Sequence, residues 1–331
     1  MRKVILLSSV LLVFLGGAAQ KAKRPKLVVG VVVDQMRWDY LYRYQDRYGS
    51  DGFMRMLREG FTCENAFISY TPTYTAAGHS SVYTGSVPAL NGILGNNWYS
   101  REKKRVVYCT EDDSVRTIGS TSAAGKMSPA NLWSSTITDE LRMAENFRGK
   151  TIALALKDRG AILPGGHTAN AAYWFDNATG GFITSSFYME QLPAWVQQFN
   201  ARRLPDQYLS QNWNTLYPIN TYSQSTEDQK LYESRLPGED NSFPHITESI
   251  TQNKYESFRH TPYGNTFTFE MAKAAVENER LGKSNGGTDF LAVSFSSTDY
   301  VGHAFGPNSI EVEDMYLRFD KELGAFLRYL D

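Results

Sequence analysis

The chain has 331 residues, 34 Lys and Arg against 35 Asp and Glu, a formal net charge of −1, and 42% hydrophobic residues. Near-neutrality excludes the strong field that grips nucleic acid or an anionic membrane surface, and the dispersed 20 Tyr and 18 Phe exclude a disordered chain. What remains is a globular protein long enough to bury a sizeable core.

At the N-terminus, Arg2 and Lys3 precede an apolar run from Val4 to Leu15, and Gly17-Ala18-Ala19 offers the small residues a signal peptidase reads. The run is short for a bilayer. The expectation is a signal peptide over 1–19, a mature start near Gln20, and an exported protein, periplasmic or secreted. An uncleaved anchor is the alternative. No second stretch of spanning length follows, so no stable membrane span is expected after cleavage.

Leu27–Val33 (LVVGVVV) is apolar without alternation, the pattern of a strand covered on both faces in a parallel sheet. It stops at Asp34. Residues 52–60 (GFMRMLREG) read as a short helix closing on glycine. Cys63 and Cys109 are the only cysteines. An even count in an exported chain predicts one disulfide between them, against two buried free thiols as the alternative. The absence of Cys-x-x-Cys argues against a structural zinc site.

Residues 71–85 (TPTYTAAGHSSVYTG) place threonines at the mouth of a helix. There a hydroxyl lies beside free backbone N–H groups that favour anions, and Ala76, Ala77 and Gly78 leave room for one. The competing reading is that Thr73 or Thr75 is an ordinary N-cap.

Lys150–Leu156 (KTIALAL) and residues 289–297 (DFLAVSFSS) are two further buried-strand candidates. Between about 160 and 285, Pro, Gly, Asn and aromatics crowd the chain. A hairpin is expected around residues 177–181, and a helix in LPAWVQQFNARRL with Pro193 near its first turn. Residues 205–262 show no clear period. This segment is expected to be a cap-like insertion over one face of the sheet. A final helix starts from Ser309 as cap, with Glu311 and Glu313 at the positive end of its dipole. Strands alternating with helices imply an α/β fold with a mainly parallel sheet between helices.

In open α/β sheets ligands bind beyond the carboxyl ends of the strands. Three candidate strands end on chemistry: Asp34; Lys157-Asp158-Arg159; and Asp299 with His303 four positions later. Asp-x-x-x-His puts a carboxylate and an imidazole on one side of a turn, a way to begin a zinc site. Each residue also has an ordinary reading, as a turn-capping carboxylate or a solvated surface charge.

Together VVVDQMRWDY, TPTYTAAGHSSVYTG, NGILGNNWY, LKDRGA and SSTDYVGH resemble the type I phosphodiesterase/nucleotide pyrophosphatase branch of the alkaline phosphatase superfamily. Within it they are most similar to the PafA-like, phosphate-irrepressible alkaline phosphatases. The resemblance runs from about residue 25 to the end. It implies a two-zinc phosphomonoesterase that forms a phosphothreonine intermediate on Thr75. It further implies Asp34 and Thr75 on one zinc, Asp299 and His303 on the other, and Asn96, Lys157 and Arg159 holding the phosphate oxygens.

Two cations suit a dianionic monoester better than a diester, so small phosphate monoesters are the expected substrates. A nucleotide diesterase and a non-catalytic phosphate-binding fragment are the alternatives. Sulfatase chemistry is disfavoured, since the Cys/Ser-x-Pro-x-Arg motif is absent. The same resemblance calls for an Asp-His pair and a further His that are missing here. The chain is therefore expected to be an incomplete domain over 20–331, inactive or weakly active alone.

Overall fold

The computed structural model describes residues 24–331 except 235, 237–240 and 284–285. The signal-peptide expectation over 1–19 lies outside the described residues. No helix among the described residues is long and apolar enough to cross a membrane.

Among the described residues the strands are β1 (Leu27–Val33), β2 (Asn97–Ser100), β3 (Arg105–Tyr108), β4 (Thr117–Ile118), β5 (Thr151–Ala155), β6 (Ala171–Asp176), β7 (Gly181–Ser185) and β8 (Asp289–Phe295). Six of them make one sheet in the order β1-β8-β5-β6-β7-β4, and β2 pairs with β3 in a separate hairpin. β1, β8, β5 and β6 run parallel, whereas β7 and β4 are antiparallel to their neighbours. The helices that matter for the site are α1 (Phe53–Glu59), α2 (Thr75–Thr84), α3 (Ile137–Ala144), α4 (Asp158–Gly165), α5 (Ala194–Ala201), α6 (Tyr263–Asn278), α7 (Ser297–Phe305) and α8 (Ile310–Leu330).

The period of two along the central strands sorts their side chains into two layers. Ile152, Leu154, Leu291 and Val293 pack with Phe267, Met271 and Phe319 of α6 and α8 on one face. Ala153, Ala155, Ala172 and Ala292 meet Ala161 and Ile162 of α4 and Tyr83 of α2 on the other. Alanines on that second face let α4 come close. A Cβ on Gly160 would lie 3.1 Å from that of Ala155, so the helix that starts at the site is held tightly to the strand that leads into it.

β5, β6, β7 and β8 are buried throughout, as continuous apolar runs predict. β1 departs from that expectation. Its seven residues are apolar but none is buried, and Val31 is 38% exposed. The physical reason is its position: it is the edge strand, paired only with β8 among the described residues.

The expected insertion over 160–285 is distributed differently. Its first part is α4 and the β6–β7 hairpin, which are sheet elements, and its last part is α6, which packs on β8. The stretch between β7 and α6 has short helices and little strand among its described residues, yet Val196, Phe199, Leu209, Trp213 and Phe258 bury themselves in the same core.

The disulfide expectation fails. Both cysteines are free: Cys63 is exposed in the loop after α1, whereas Cys109 is buried among Ala76, Ile93, Leu132 and Leu163. Burial, foremost, pushes the Cys109 thiol up to about 12, so it behaves as a small apolar side chain.

α3 opens with a capping box in which Thr136 and Asp139 exchange bonds. Asp139 also accepts from Thr168 and pairs with His167 Nδ1 at 3.4 Å. That bond raises the His167 pKa above its ordinary value, against the lowering effect of burial. Since the folded value is raised, the stabilisation is complete below the unfolded value of about 6.5 and is lost as pH rises through the folded value. The urea midpoint should therefore fall between about pH 6 and about pH 8. His167→Gln should flatten that slope, and an unchanged slope would remove His167 as its source.

Candidate active site

The three strand ends singled out by sequence belong to neighbouring strands, β1, β8 and β5. Val33 stands opposite Phe295, and the ladder runs one residue further as Asp34 N–H donates to Phe295 O at 3.1 Å. Thr298 Oγ1 donates to Asp34 O at 2.7 Å, tying the end of β1 to the first turn of α7. Asp299 lies in that turn, where the helix dipole favours a carboxylate. Lys157 is extended, two residues beyond β5, at the N-cap of α4.

These residues converge. Lys157 Nζ donates to Asp34 Oδ2 at 2.6 Å and Asp299 Oδ2 at 2.5 Å, and to Thr75 Oγ1 at 3.3 Å. Thr75 Oγ1 lies 3.4 Å from Asp34 Oδ2. Thr75 is the first residue of α2; the N-cap is Tyr74, with no side-chain cap bond. The Thr75 hydroxyl therefore faces the cluster of charges and does not cap the helix. Ala76 and Ala77 are fully buried, so their small size serves packing; at Gly78 an added Cβ would meet only open space.

His79 fixes the start of α2. Its ring bonds Thr75 O at 2.8 Å through Nδ1 and Ser294 Oγ at 2.7 Å through Nε2. A carbonyl only accepts, so Nδ1 carries the proton and Nε2 accepts from Ser294. Complete burial, foremost, lowers the His79 pKa and keeps the ring neutral. Ser294 is on β8, so the imidazole pins the Thr75 backbone to the central sheet.

Asn96 Oδ1 accepts from Ala76 N–H at 3.0 Å, which brings its side chain to the same helix end. Its backbone carbonyl accepts from Cys109 N–H across the open end of the β2–β3 hairpin. Arg159 Nη1 donates to Tyr108 OH at 2.8 Å, and Tyr108 OH donates to Asp158 Oδ1 at 2.7 Å. Arg159 Nε is buried without a hydrogen-bond partner. His303 is largely exposed, one helical turn beyond Asp299, with Nε2 at 3.3 Å from Asp299 Oδ1.

Burial pushes the Asp34 carboxyl up, but the Lys157 ammonium, with Arg159 adding to it, more than offsets this and holds it below its ordinary value. The electrostatic count is informative. Asp34 and Asp299 outnumber the one ammonium between them, and Arg159 is shared with Asp158 at 3.7 Å. A phosphate dianion placed here would meet net negative charge unless further cations were bound.

Zinc sites use three or four protein donors. Asp34 with Thr75, and Asp299 with His303, give two each. No group of three His, Cys, Asp or Glu side chains that could hold a metal occurs among the described residues. The described residues alone do not make the expected two-zinc centre.

All seven side chains singled out by sequence (Asp34, Thr75, Asn96, Lys157, Arg159, Asp299 and His303) lie around one helix end and three strand ends. Lys157 and Arg159 are engaged with carboxylates and Tyr108. Sequence reading missed Tyr108, Arg259 and Tyr300. Lys157 Nζ lies 4.8 Å and Arg259 Cζ 4.6 Å from the centre of the Tyr300 ring, and Tyr300 OH accepts from Arg259 at 2.7 Å. Tyr300 directly follows Asp299 in the sequence and was available as a signal; Arg259 sits in an unpatterned stretch and was not.

The family profile of type I phosphodiesterase / nucleotide pyrophosphatase matches residues 28–331. The chain is 62% identical over 313 residues to the alkaline phosphatase PhoV of Synechococcus elongatus, covering 94% of this chain and 57% of that one. It is 56% identical to a Myroides odoratus protein named calcium-transporting ATPase, covering 95% and 58%. The crystal structure of alkaline phosphatase PafA superposes with a TM-score of 0.90 at 51% identity, over 93% of this chain and 60% of that one. A variant of PafA substituted at a threonine, an asparagine, a lysine and an arginine superposes equally, with a TM-score of 0.91 at 50% identity, over 93% and 60%. The chain thus spans a little over half the length of these relatives. With a family profile that covers nearly all of the described chain and a shared fold at high identity, the chain belongs to the type I phosphodiesterase / nucleotide pyrophosphatase family.

Proposed function

We propose that this chain carries the nucleophile and phosphate-binding half of an exported phosphomonoesterase, an alkaline phosphatase. The observation that carries the reading is the Thr75 hydroxyl, at a helix N-terminus and 3.3 Å from the Lys157 ammonium, where three strand ends meet. The relatives named alkaline phosphatases support it. So does the solved PafA variant: its four substituted residue types recur here as Thr75, Asn96, Lys157 and Arg159, in the same order and with the same Thr-to-Asn and Lys-to-Arg spacing.

In the proposed reaction the Thr75 oxygen attacks phosphorus in line with the ester bond. The Oγ–P bond forms and the P–O bond to the leaving group breaks; the Thr75 proton passes to the carboxylate side of the cluster, with Asp34 nearest, and on to the leaving alkoxide, which departs as the alcohol. Water then attacks the phosphothreonine, releasing phosphate and restoring the hydroxyl. The ammonium of Lys157 lowers the energy of the developing Thr75 alkoxide. Ala76 N–H holds Asn96 by its oxygen, which leaves the amide nitrogen of Asn96 to donate to a phosphoryl oxygen. The guanidinium of Arg159 adds positive charge from the α4 side, braced by Tyr108 and Asp158. Zinc ions, as the resemblance implies, would need donors beyond the described residues; the net negative charge of the cluster is the reason to expect bound cations. The chain alone should then be inactive or weakly active.

The test is a comparison of p-nitrophenyl phosphate with bis-p-nitrophenyl phosphate, measured on the protein that contains this chain. Lys157→Ala and Arg159→Ala should each lower kcat/KM for the monoester by about 10²-fold and that for the diester by much less. Equal losses on both substrates would favour the nucleotide diesterase reading instead.

A further inference from the structure

We infer that Tyr300, anchored by Arg259, is a positioning residue for Lys157: its ring holds the ammonium at the site while a phosphoryl oxygen replaces one of that ammonium's protein partners. The inference rests on the phosphomonoesterase reading above and deepens it, by naming what aims the charge that reads a dianion.

Lys157 is a poor group to aim without help. Its ammonium sits on a flexible four-carbon stem and offers three donors. The side chain is buried, and its bonds go to Asp34 Oδ2 at 2.6 Å, Asp299 Oδ2 at 2.5 Å and Thr75 Oγ1 at 3.3 Å. To donate to a phosphoryl oxygen, the ammonium must give up at least one of these. Each is directional, so a turn toward substrate weakens the others.

The contact with Tyr300 is of a different kind. Lys157 Nζ lies 4.8 Å from the centre of the ring, within the roughly 6 Å over which a ring face attracts a cation through its quadrupole. That attraction needs no particular N–H, so it persists as the ammonium turns. The ring also brings no net charge. A third carboxylate in its place would hold the ammonium as well, but would repel the incoming dianion.

The ring is itself fixed from its far end. Tyr300 OH accepts from Arg259 Nη1 at 2.7 Å, and the His260 ring packs 5.0 Å from that of Tyr300. Arg259 pairs with Glu256, in the short helix Lys254–Phe258, and Glu256 accepts from Asn177 in the turn after β6. A line of contacts thus runs from Asn177 through Glu256 and Arg259 to Tyr300, and ends on Lys157. β1, β8 and β5 bring charged residues directly to the site. β6, the fourth parallel strand, reaches it through this line.

The test is a double-mutant cycle in the protein that contains this chain, read as kcat/KM for p-nitrophenyl phosphate and bis-p-nitrophenyl phosphate. Tyr300→Leu should lower the monoester value by about tenfold, within the range a desolvated cation–π contact supports, and the diester value by much less. Tyr300→Phe, which keeps the ring, should stay within about threefold of the parent. Arg259→Gln, which removes the anchor, should cost about threefold with the same selectivity. In a Lys157→Ala background, Tyr300→Leu and Arg259→Gln should have no further effect, because the group they position is gone.

A merely structural ring would give losses that add in full to that of Lys157→Ala, and that result overturns the inference. So do equal losses on the two substrates, or a Tyr300→Phe variant as impaired as Tyr300→Leu. If Tyr300→Leu does not fold, the cycle between Arg259→Gln and Lys157→Ala carries the same decision. Parental activity in Tyr300→Leu beside an impaired Lys157→Ala overturns the inference and leaves the phosphomonoesterase reading standing. Parental monoester activity in Lys157→Ala overturns both.

Discussion

Thr75→Ala should abolish phosphomonoester hydrolysis by the protein that contains this chain, with kcat/KM falling about 10³-fold or more, while binding of inorganic phosphate changes little. The argument is geometric. No other hydroxyl is placed at both the mouth of α2 and hydrogen-bond distance from Lys157 among the bonds described. Thr75→Ser, which keeps the oxygen, should retain measurable turnover. A phosphoryl adduct trapped by acid quench should map to residue 75 in the parent and vanish in Thr75→Ala. If p-nitrophenyl phosphate hydrolysis survives the alanine substitution, the covalent mechanism is wrong. The same assay on the 331-residue chain, with and without added zinc, checks the ligand count. Zinc-dependent turnover by the chain alone would mean that two donors on each side suffice.

Asp314→Ala should be strongly destabilising, by about 3–5 kcal/mol, since it strips a buried carboxylate from four donors, of which Trp213 Nε1 is itself buried. Asp314 is fully buried on α8. It accepts from Trp213 Nε1 at 2.8 Å, Leu216 N–H at 2.6 Å, Arg318 Nε at 2.6 Å and Tyr222 OH. Three of those donors come from the irregular segment between β7 and α6, so one side chain organises a stretch that has little regular structure of its own. Urea unfolding should report the loss. Limited proteolysis should then cut first around residues 213–226. A midpoint within experimental error of the parent would show that these bonds contribute no net stability.

The stretches whose structure was legible are those where a local pattern has one physical solution. Continuous apolar runs at 27–33, 151–155 and 289–295 became strands, and residues 53–59 became a helix between Gly52 and Gly60. Residues 310–330 became a helix capped by Ser309, whose Oγ accepts from Val312 N–H at 3.2 Å. The hairpin at 171–185 was legible from its Asn-Ala-Thr-Gly-Gly turn, but its membership of the main sheet was not. A hairpin looks the same in sequence whether it caps a sheet or extends it. Burial of β1 was misjudged for a related reason: composition reports what a strand is suited to contact, and cannot say whether the contact lies within the described chain.

For the candidate site the division is similar. Asp34, Lys157, Arg159, Asp299 and His303 stood out because each follows a legible strand, and Thr75 because its motif is unlike an amphipathic helix. By itself, then, the sequence determined the α/β class, the strand ends and the residue types gathered there, since strand and helix periods are properties of neighbouring residues. The tertiary structure alone decided that β1, β8 and β5 lie side by side, that Lys157 spans two carboxylates, that neutral His79 ties Thr75 to β8, and that Cys63 and Cys109 stay apart. Each of those pairings joins residues tens to hundreds of positions apart, where strand order and layer packing set the distance and local pattern carries no information about it.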